Sequence, residues 1–354
     1  MNEPTDRTGT DRRRGAVLGL AVGDAAGWPA RTHRSRVLPG WTRRLRRELD
    51  AFAEVESVTT LPVPFALNQD PAPLRLGPGD DAEWVAWTLA GSAPLPADRA
   101  AVHARWAVAV ADGAVPVGRI AVAVAVDNLR RGVPPPDSGR RNPHHFDDAA
   151  AIRAVAYGVL ATSPAHAATL AGWDAEVTHA GDGVTAARAV AAAVATAVSL
   201  PATAASRPEP TLLAALEAQL PIDQLAGRTL RRALALVAGA GTPAEAVPLL
   251  DELVDRVYSY GCAAAQTVPV AAALTAVALR AGTPTIDAIL AAAALPSLAD
   301  SAPALTGALL GAVRGAAELP PSWADRCRRL AGCCDPTLAG VDLLDIVERT
   351  TRGQ

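Results

Sequence analysis

Glycine recurs at every fourth position in Gly15-Ala-Val-Leu-Gly19-Leu-Ala-Val-Gly23-Asp24-Ala-Ala-Gly27. On an α-helix that spacing puts all four on one stripe. A glycine inside a helix costs up to about 1 kcal/mol relative to alanine. A chain that accepts this cost repeatedly has another backbone pressed against the stripe. The same spacing returns near the other end of the sequence, at Gly307, Gly311 and Gly315. The two stripes are therefore expected to mark closely packed helices, in the simplest case packed on each other.

The chain between them reads mostly as helix, with residues 28–78 irregular apart from one helix and residues 132–148 a surface loop. Half of the 354 residues are hydrophobic, aromatics are only 4%, and alanine dominates runs broken by short Pro/Gly segments. Alanine is the best helix former, so the pattern predicts an all-α protein with ample material for a large core. Helices are expected over residues 41–54, 81–91, 97–111, 116–131, 149–162, 164–173 and 183–198. Further ones are expected over 211–219, 222–239, 243–260, 262–281 and 284–294, with another carrying the second glycine stripe. The best strand signal, Ser57-Val58-Thr59-Thr60-Leu61, runs straight into Pro62. Residues 1–13, polar and rich in arginine, read as a disordered tail, and residues 14–350 as a single domain.

Several function classes are excluded at this stage. The net charge of −3 gives no global basic bias, so nucleic acid is not the expected partner. The cluster Arg43, Arg44, Arg46 and Arg47 reads as a solvated helix face. No apolar segment opens the chain, so no signal peptide is expected. The most apolar run, Cys262 to Leu279, contains Gln266 and Pro269 and reads as a buried core helix, with no membrane involved. Cys262, Cys327, Cys333 and Cys334 match no zinc spacing and are expected as thiols, consistent with a cytoplasmic protein.

The chemistry concentrates in Gly77-Pro78-Gly79-Asp80-Asp81-Ala82-Glu83-Trp84. The Gly/Pro turn leads into a helix, so Asp80 and Asp81 stand at its beginning. One aspartate suffices to cap a helix. A second beside it adds repulsion unless a cation sits above the pair, and a hard divalent ion such as Mg²⁺ or Ca²⁺ suits that place. Asp300-Ser301 repeats the arrangement in a Pro-flanked break before the second glycine helix. Packing of the two stripes would bring Asp80, Asp81, Asp300 and Ser301 around one oxygen-lined site. Asp24 lies at the wrong end of its helix for the helix dipole, and needs an arginine or a metal centre as partner. His144 and His145 beside Asp147 and Asp148 offer transition-metal ligands, but a solvated mobile loop is the simpler reading. His179 reads as a hydrogen-bonded structural histidine. Trp28, Trp84 and Trp87 read as core or rim packing, with adenine stacking as the alternative.

Taken in order, these segments resemble the ADP-ribosylglycohydrolase family, including the dinitrogenase-reductase-activating enzymes, from Gly15 to about residue 348. Gly15 to Pro29 is similar to the family's opening helix. Gly79-Asp80-Asp81 stands where the family has Thr-Asp-Asp, and Asp148-Ala-Ala-Ala-Ile-Arg153 resembles its Asn-Gly-Ala-x-Met-Arg. Val177-Thr178-His179 resembles its Leu-Thr-His, and Gln266-Thr267-Val268-Pro269, Gly307 to Ala312 and the Trp323 to Leu344 tail also match. The resemblance implies an all-α orthogonal bundle with Mg²⁺ ions in a cleft that binds ADP-ribose and acts at its anomeric carbon. Carried over, Asp80, Asp81, Asp300 and Ser301 would hold metal. Asp80 and Asp81 would be catalytic, and Asp24, Asp148 and His179 would stand behind them or against substrate. The implied function is metal-dependent hydrolysis of a glycosidic bond to ADP-ribose, on a protein or a small molecule. The departures are Gly79 for a liganding Thr, Leu298 for a liganding Asp, Arg31 for a Glu and Asp148 for an Asn. They reduce the implied metal to one hydrated Mg²⁺ rather than two. They also open the alternative of a degenerate member that binds ADP-ribose or a nucleotide-like ligand without turnover.

Overall fold

The computed structural model describes residues 4–27, 39–57, 77–201, 204, 206–255, 258 and 260–351. Among them the chain is helical, with no strand and only two isolated β-bridges, Asp147 with Ala263 and Arg329 with Asp342. Residues 58–61 of the weak strand signal, together with Trp28 and Arg31, lie outside the described residues.

The helices follow the breaks. In chain order they are α1 (Pro4–Ala26), α2 (Pro39–Glu56), α3 (Asp80–Gly91), α4 (Arg99–Ala111), α5 (Ile120–Arg130) and the short α6 (Asp137–Arg140). Then come α7 (Ala149–Leu160), α8 (Pro164–Thr178), α9 (Asp182–Val198), α10 (Glu209–Glu217), α11 (Leu225–Leu236) and α12 (Pro243–Asp251). The chain closes with α13 (Ala264–Ala281), α14 (Thr285–Ala293), α15 (Ala302–Arg314), α16 (Pro321–Cys327) and α17 (Leu343–Thr351). Their beginnings are chemically marked. Asp98 caps α4 by accepting from Ala101 N at 2.8 Å. Ser163 caps α8 from His166 N at 3.3 Å, with Pro164 in the first turn.

The two glycine stripes meet. A methyl group on Gly15 would run into the carbonyl of Gly311, one on Gly19 into that of Gly307, and one on Gly23 into that of Pro303. Backbones therefore touch along the whole α1–α15 seam, and no side chain larger than hydrogen fits at those positions. The seam belongs to a core in which α7 is buried at every residue, packed against α3, α8 and α9. The helix α13 is long and apolar enough to cross a membrane, but 78% of it is buried inside the protein.

The N-terminal segment differs from the sequence reading. It is not a free tail: α1 begins at Pro4. Arg12 is buried, donating to the carbonyls of Leu200 at 2.6 Å and Val313 at 3.1 Å. The arginines that make the segment look solvated are satisfied by helix-end carbonyls of distant elements, which local sequence does not reveal.

Candidate active site

The turn before α3 is shaped by Gly77, whose φ of +74° favours glycine. Helix α3 then starts at Asp80 with Gly79 as its N-cap, and neither Asp80 nor Asp81 is its side-chain cap. That role falls to Asp24, from the end of α1. Its Oδ2 accepts from Gly79 N at 2.8 Å and from Ala82 N at 3.0 Å. Among the described residues, Asp24 thus meets the N-terminus of the neighbouring helix, where a negative charge is favourable. Glu83 faces away from the cluster. Its oxygens accept from Cys333 N at 2.8 Å, Cys334 N at 2.8 Å and Asp335 N at 3.0 Å, tying the C-terminal tail to α3.

With the capping done by Asp24, the carboxyls of Asp80 and Asp81 turn to another group. That group is Arg119, at the N-cap of α5. Its Nε donates to Asp80 Oδ2 at 2.6 Å, its Nη2 to Asp81 Oδ1, and its Nη1 to Asp148 Oδ1 at 3.2 Å. Both terminal nitrogens lie 3.4 Å from Ser301 Oγ, and Nη1 lies 4.0 Å from Asp300 Oδ2. The structure therefore brings Asp80, Asp81, Asp148, Asp300 and Ser301 together, all buried, around one buried guanidinium. Asp300 and Ser301 reach it from the start of α15, Asp148 from the start of α7.

Among the described residues, four carboxyls face one cation. Burial holds Asp81 well above the usual carboxylate range, helped by Asp24, Asp80 and Asp300 against the pull of Arg119. Burial likewise lifts Asp148 to about 7, with Asp147 and Asp300 adding and Arg119 opposing. Burial alone would weaken the hold of Arg119 on its proton. Asp80, Asp81, Asp300 and Asp148 together reverse that and keep it fully charged.

Behind Asp148 the loop is pinned rather than solvated, contrary to the mobile-loop reading. Asp148 N donates to Cys262 O and Ala264 N to Phe146 O, both at 3.0 Å. His144 Nδ1 meets the Tyr258 hydroxyl at 3.1 Å. His179 is buried, with Nε2 2.6 Å from Asp147 Oδ1 and Nδ1 2.6 Å from Thr178 Oγ1. Burial lowers the proton affinity of His179. That of Asp147, pushed up by burial, is brought below normal mainly by His179. A neutral imidazole donating to an ionised Asp147 satisfies both, and holds the residue next to Asp148 in place.

Along the sequence, this ordered set runs Asp24, Asp80-Asp81, Asp148, His179, Asp300-Ser301, on an all-α frame with paired glycine helices. The sequence model of the ADP-ribosylglycohydrolase family matches residues 4–353. The chain belongs to the ADP-ribosylglycohydrolase family. A solved structure described as "ADP-ribosylglycohydrolase-related protein complex" is similar over 98% of this chain and 99% of that one, at 22% identity and a TM-score of 0.57. That likeness supports the fold. A comparison with curated proteins found no match.

The magnesium implied by family membership meets an obstacle in this chain. The oxygens are of the right kind for Mg²⁺. But the Arg119 guanidinium already stands among them, within hydrogen-bonding distance of three carboxyls. Leu298, where the resemblance expects a carboxylate, is buried hydrocarbon. The residues present do not fit a divalent ion while Arg119 holds that place.

Arg119 is the site residue that sequence reading misses. It falls inside the stretch predicted as a helix over 116–131, whereas α5 begins one residue after it. The available signal was electrostatic: an arginine at the beginning of an apolar helix opposes the helix dipole and needs an acidic partner. Trp84, by contrast, is core, and Trp87 is half-buried against it. Trp84 and Trp106 flank the Arg153 guanidinium at 5.7 and 5.1 Å, and Trp87 packs edge-on to both rings.

Proposed function

We propose that this chain hydrolyses the glycosidic bond that joins ADP-ribose to a modified protein side chain or a small molecule. Family membership supports the substrate class. The observation that carries the reading is the division of labour among the buried carboxyls. Asp148, lifted to about 7 by burial, retains a proton near neutral pH that it can give to a leaving group. Asp80, held 2.6 Å from the Arg119 guanidinium, is the group placed to accept one from water. Such a pair of environments is what acid–base cleavage of a glycosidic bond requires.

A recognition surface adjoins the cluster. His144, Phe146, Tyr258 and Tyr260 form a ring-on-ring group with centroids 4.8 to 6.1 Å apart, and Tyr260 is 63% exposed. Burial, and then the charges of Asp147 and Asp148, hold the Tyr258 phenol in its neutral form, so this group borders the acidic site. Aromatic faces beside an acidic centre suit a planar base carried on a sugar.

The test is chromatographic detection of free ADP-ribose released from arginine-linked and serine-linked ADP-ribosyl peptides. Release by the wild-type chain, abolished in Asp148→Asn and Asp80→Asn, is expected. Stabilisation by ADP-ribose with no release from any linkage would instead support binding without turnover, the reading that the occupied cluster around Arg119 makes worth testing.

A further inference from the structure

We propose that Arg119 is a resident cation that permanently takes the place of a divalent metal ion in this buried cluster, so that the site operates without metal. The inference concerns the same site but stands whether or not a ligand is turned over there.

The geometry excludes shared occupancy. Mg²⁺ draws carboxylate oxygens to about 2.0–2.1 Å and usually keeps several waters. Here Arg119 nitrogens take up those oxygens, at 2.6 Å from Asp80 and 3.2 Å from Asp148, with Asp81 bonded as well. A planar fork with several N–H donors is well matched to carboxylates approaching from several sides. Ser301 adds its hydroxyl 3.4 Å from two of the nitrogens.

The backbone places Arg119 there. Gly118, with φ +108°, turns the chain, and Arg119 O then accepts from Ala123 N at 2.9 Å to start α5. Val117 N donates to Cys334 O at 3.0 Å, and the same tail segment is tied to α3 through Glu83. The scaffold that fixes Asp80 and Asp81 thus fixes Arg119 opposite them. The guanidinium sits at the unfavourable end of the α5 dipole, and only the surrounding carboxyls outweigh that. Withdrawing it would strand buried carboxylates, a strongly destabilising change. Two carboxyl oxygens, Asp81 Oδ2 and Asp148 Oδ2, are buried with no hydrogen-bond partner among the described residues.

The experiment is a Mn²⁺ titration followed by electron paramagnetic resonance, with no other ligand present, together with melting curves in Mg²⁺ and in EDTA. The wild-type chain is expected to bind no stoichiometric Mn²⁺ up to about 1 mM, the weak end of protein cation sites. Its melting temperature should not respond to Mg²⁺ or EDTA. Arg119→Ala is expected to take up one Mn²⁺ at least about tenfold more tightly than wild type. It should be stabilised by Mg²⁺, and Asp300→Asn added to it should abolish the binding. Stoichiometric Mn²⁺ binding by the wild type, weakened by Asp300→Asn alone, would overturn the proposal. So would a folded Arg119→Ala that binds no Mn²⁺. If Arg119→Ala does not fold, the wild-type titration with Asp300→Asn as its control decides the matter by itself.

Discussion

Two arginines lie fully buried near α3, and their surroundings differ. Arg153 donates from Nε to Asp174 Oδ2 at 2.9 Å and from Nη2 to Thr178 at 2.9 Å. Asp174 also accepts from Arg105 at 2.6 Å and from Trp106 Nε1 at 2.8 Å. One carboxylate meets two guanidiniums, and although burial pushes its proton affinity up, Arg153 and Arg105 bring it below the normal range. Around Arg119 the ratio among the described residues is inverted, with Asp80, Asp81, Asp148 and Asp300 facing one cation, and burial lifts Asp81 and Asp148. The first group has more cation than acid and does structural work: it ties α4, α7 and α8 together. The second keeps excess acid in a buried place, at a cost in stability that a purely structural site has no reason to bear.

The sharpest way to test that contrast is Arg153→Ala. It leaves Asp174 with Arg105 as its one guanidinium among the described residues and empties the space between Trp84 and Trp106, and is expected to cost about 3 kcal/mol in chemical denaturation, with no recovery on adding Mg²⁺. Recovery by Mg²⁺ would mean that the Asp174 group, too, accepts a metal. Next comes Gly307→Leu, which forces a side chain into the Gly19 backbone and should cost about 3 kcal/mol. By displacing the start of α15 it should disturb the Arg119 group and leave the packing of Arg153 between its two tryptophans intact, as read from near-ultraviolet circular dichroism. Equal damage to both would show that the seam does not specifically hold the acidic site.

Asp174→Asn is expected to cost about 2 kcal/mol at pH 7. Because the folded state lowers its pKa, the stabilisation by Asp174 is complete above the unfolded value of about 3.9 and is lost as pH falls through the folded one. The variant should therefore lose part of the wild-type drop in stability on acidification, measured as melting temperature between neutral and acid pH. The smallest effect, with the opposite sign, belongs to Asp148→Asn. A folded value raised to about 7 means the folded state holds the extra proton, so wild-type stability declines as pH rises from about 4 to 7. The substitution should flatten that decline, and an unchanged slope would remove the contrast.

Much of this protein is legible before any coordinates. The alanine runs and Pro/Gly breaks locate the helices to within a few residues. The exceptions include residues 252–260, expected to continue α12 but lying beyond its end at Asp251. The glycine stripes announce the α1–α15 contact, because only a touching backbone explains glycine at helical spacing. Asp80, Asp81, Asp300 and Ser301 stand out because adjacent acids at helix beginnings demand a counter-charge. What stays hidden is every partner supplied from far along the chain: Asp24 capping α3, Glu83 holding the tail, His179 holding Asp147, and the carbonyls that bury Arg12.

The sequence by itself determined the fold class, the seam and the acidic character of the site, since these follow from local periodicity and from charges that neighbours cannot neutralise. Tertiary structure alone decided which cation answers that acid. Arg119 and Asp80 are far apart in sequence, and only the packing of α3, α5, α7 and α15 puts the guanidinium among the carboxyls, where nearness and burial make their attraction outweigh the helix dipole.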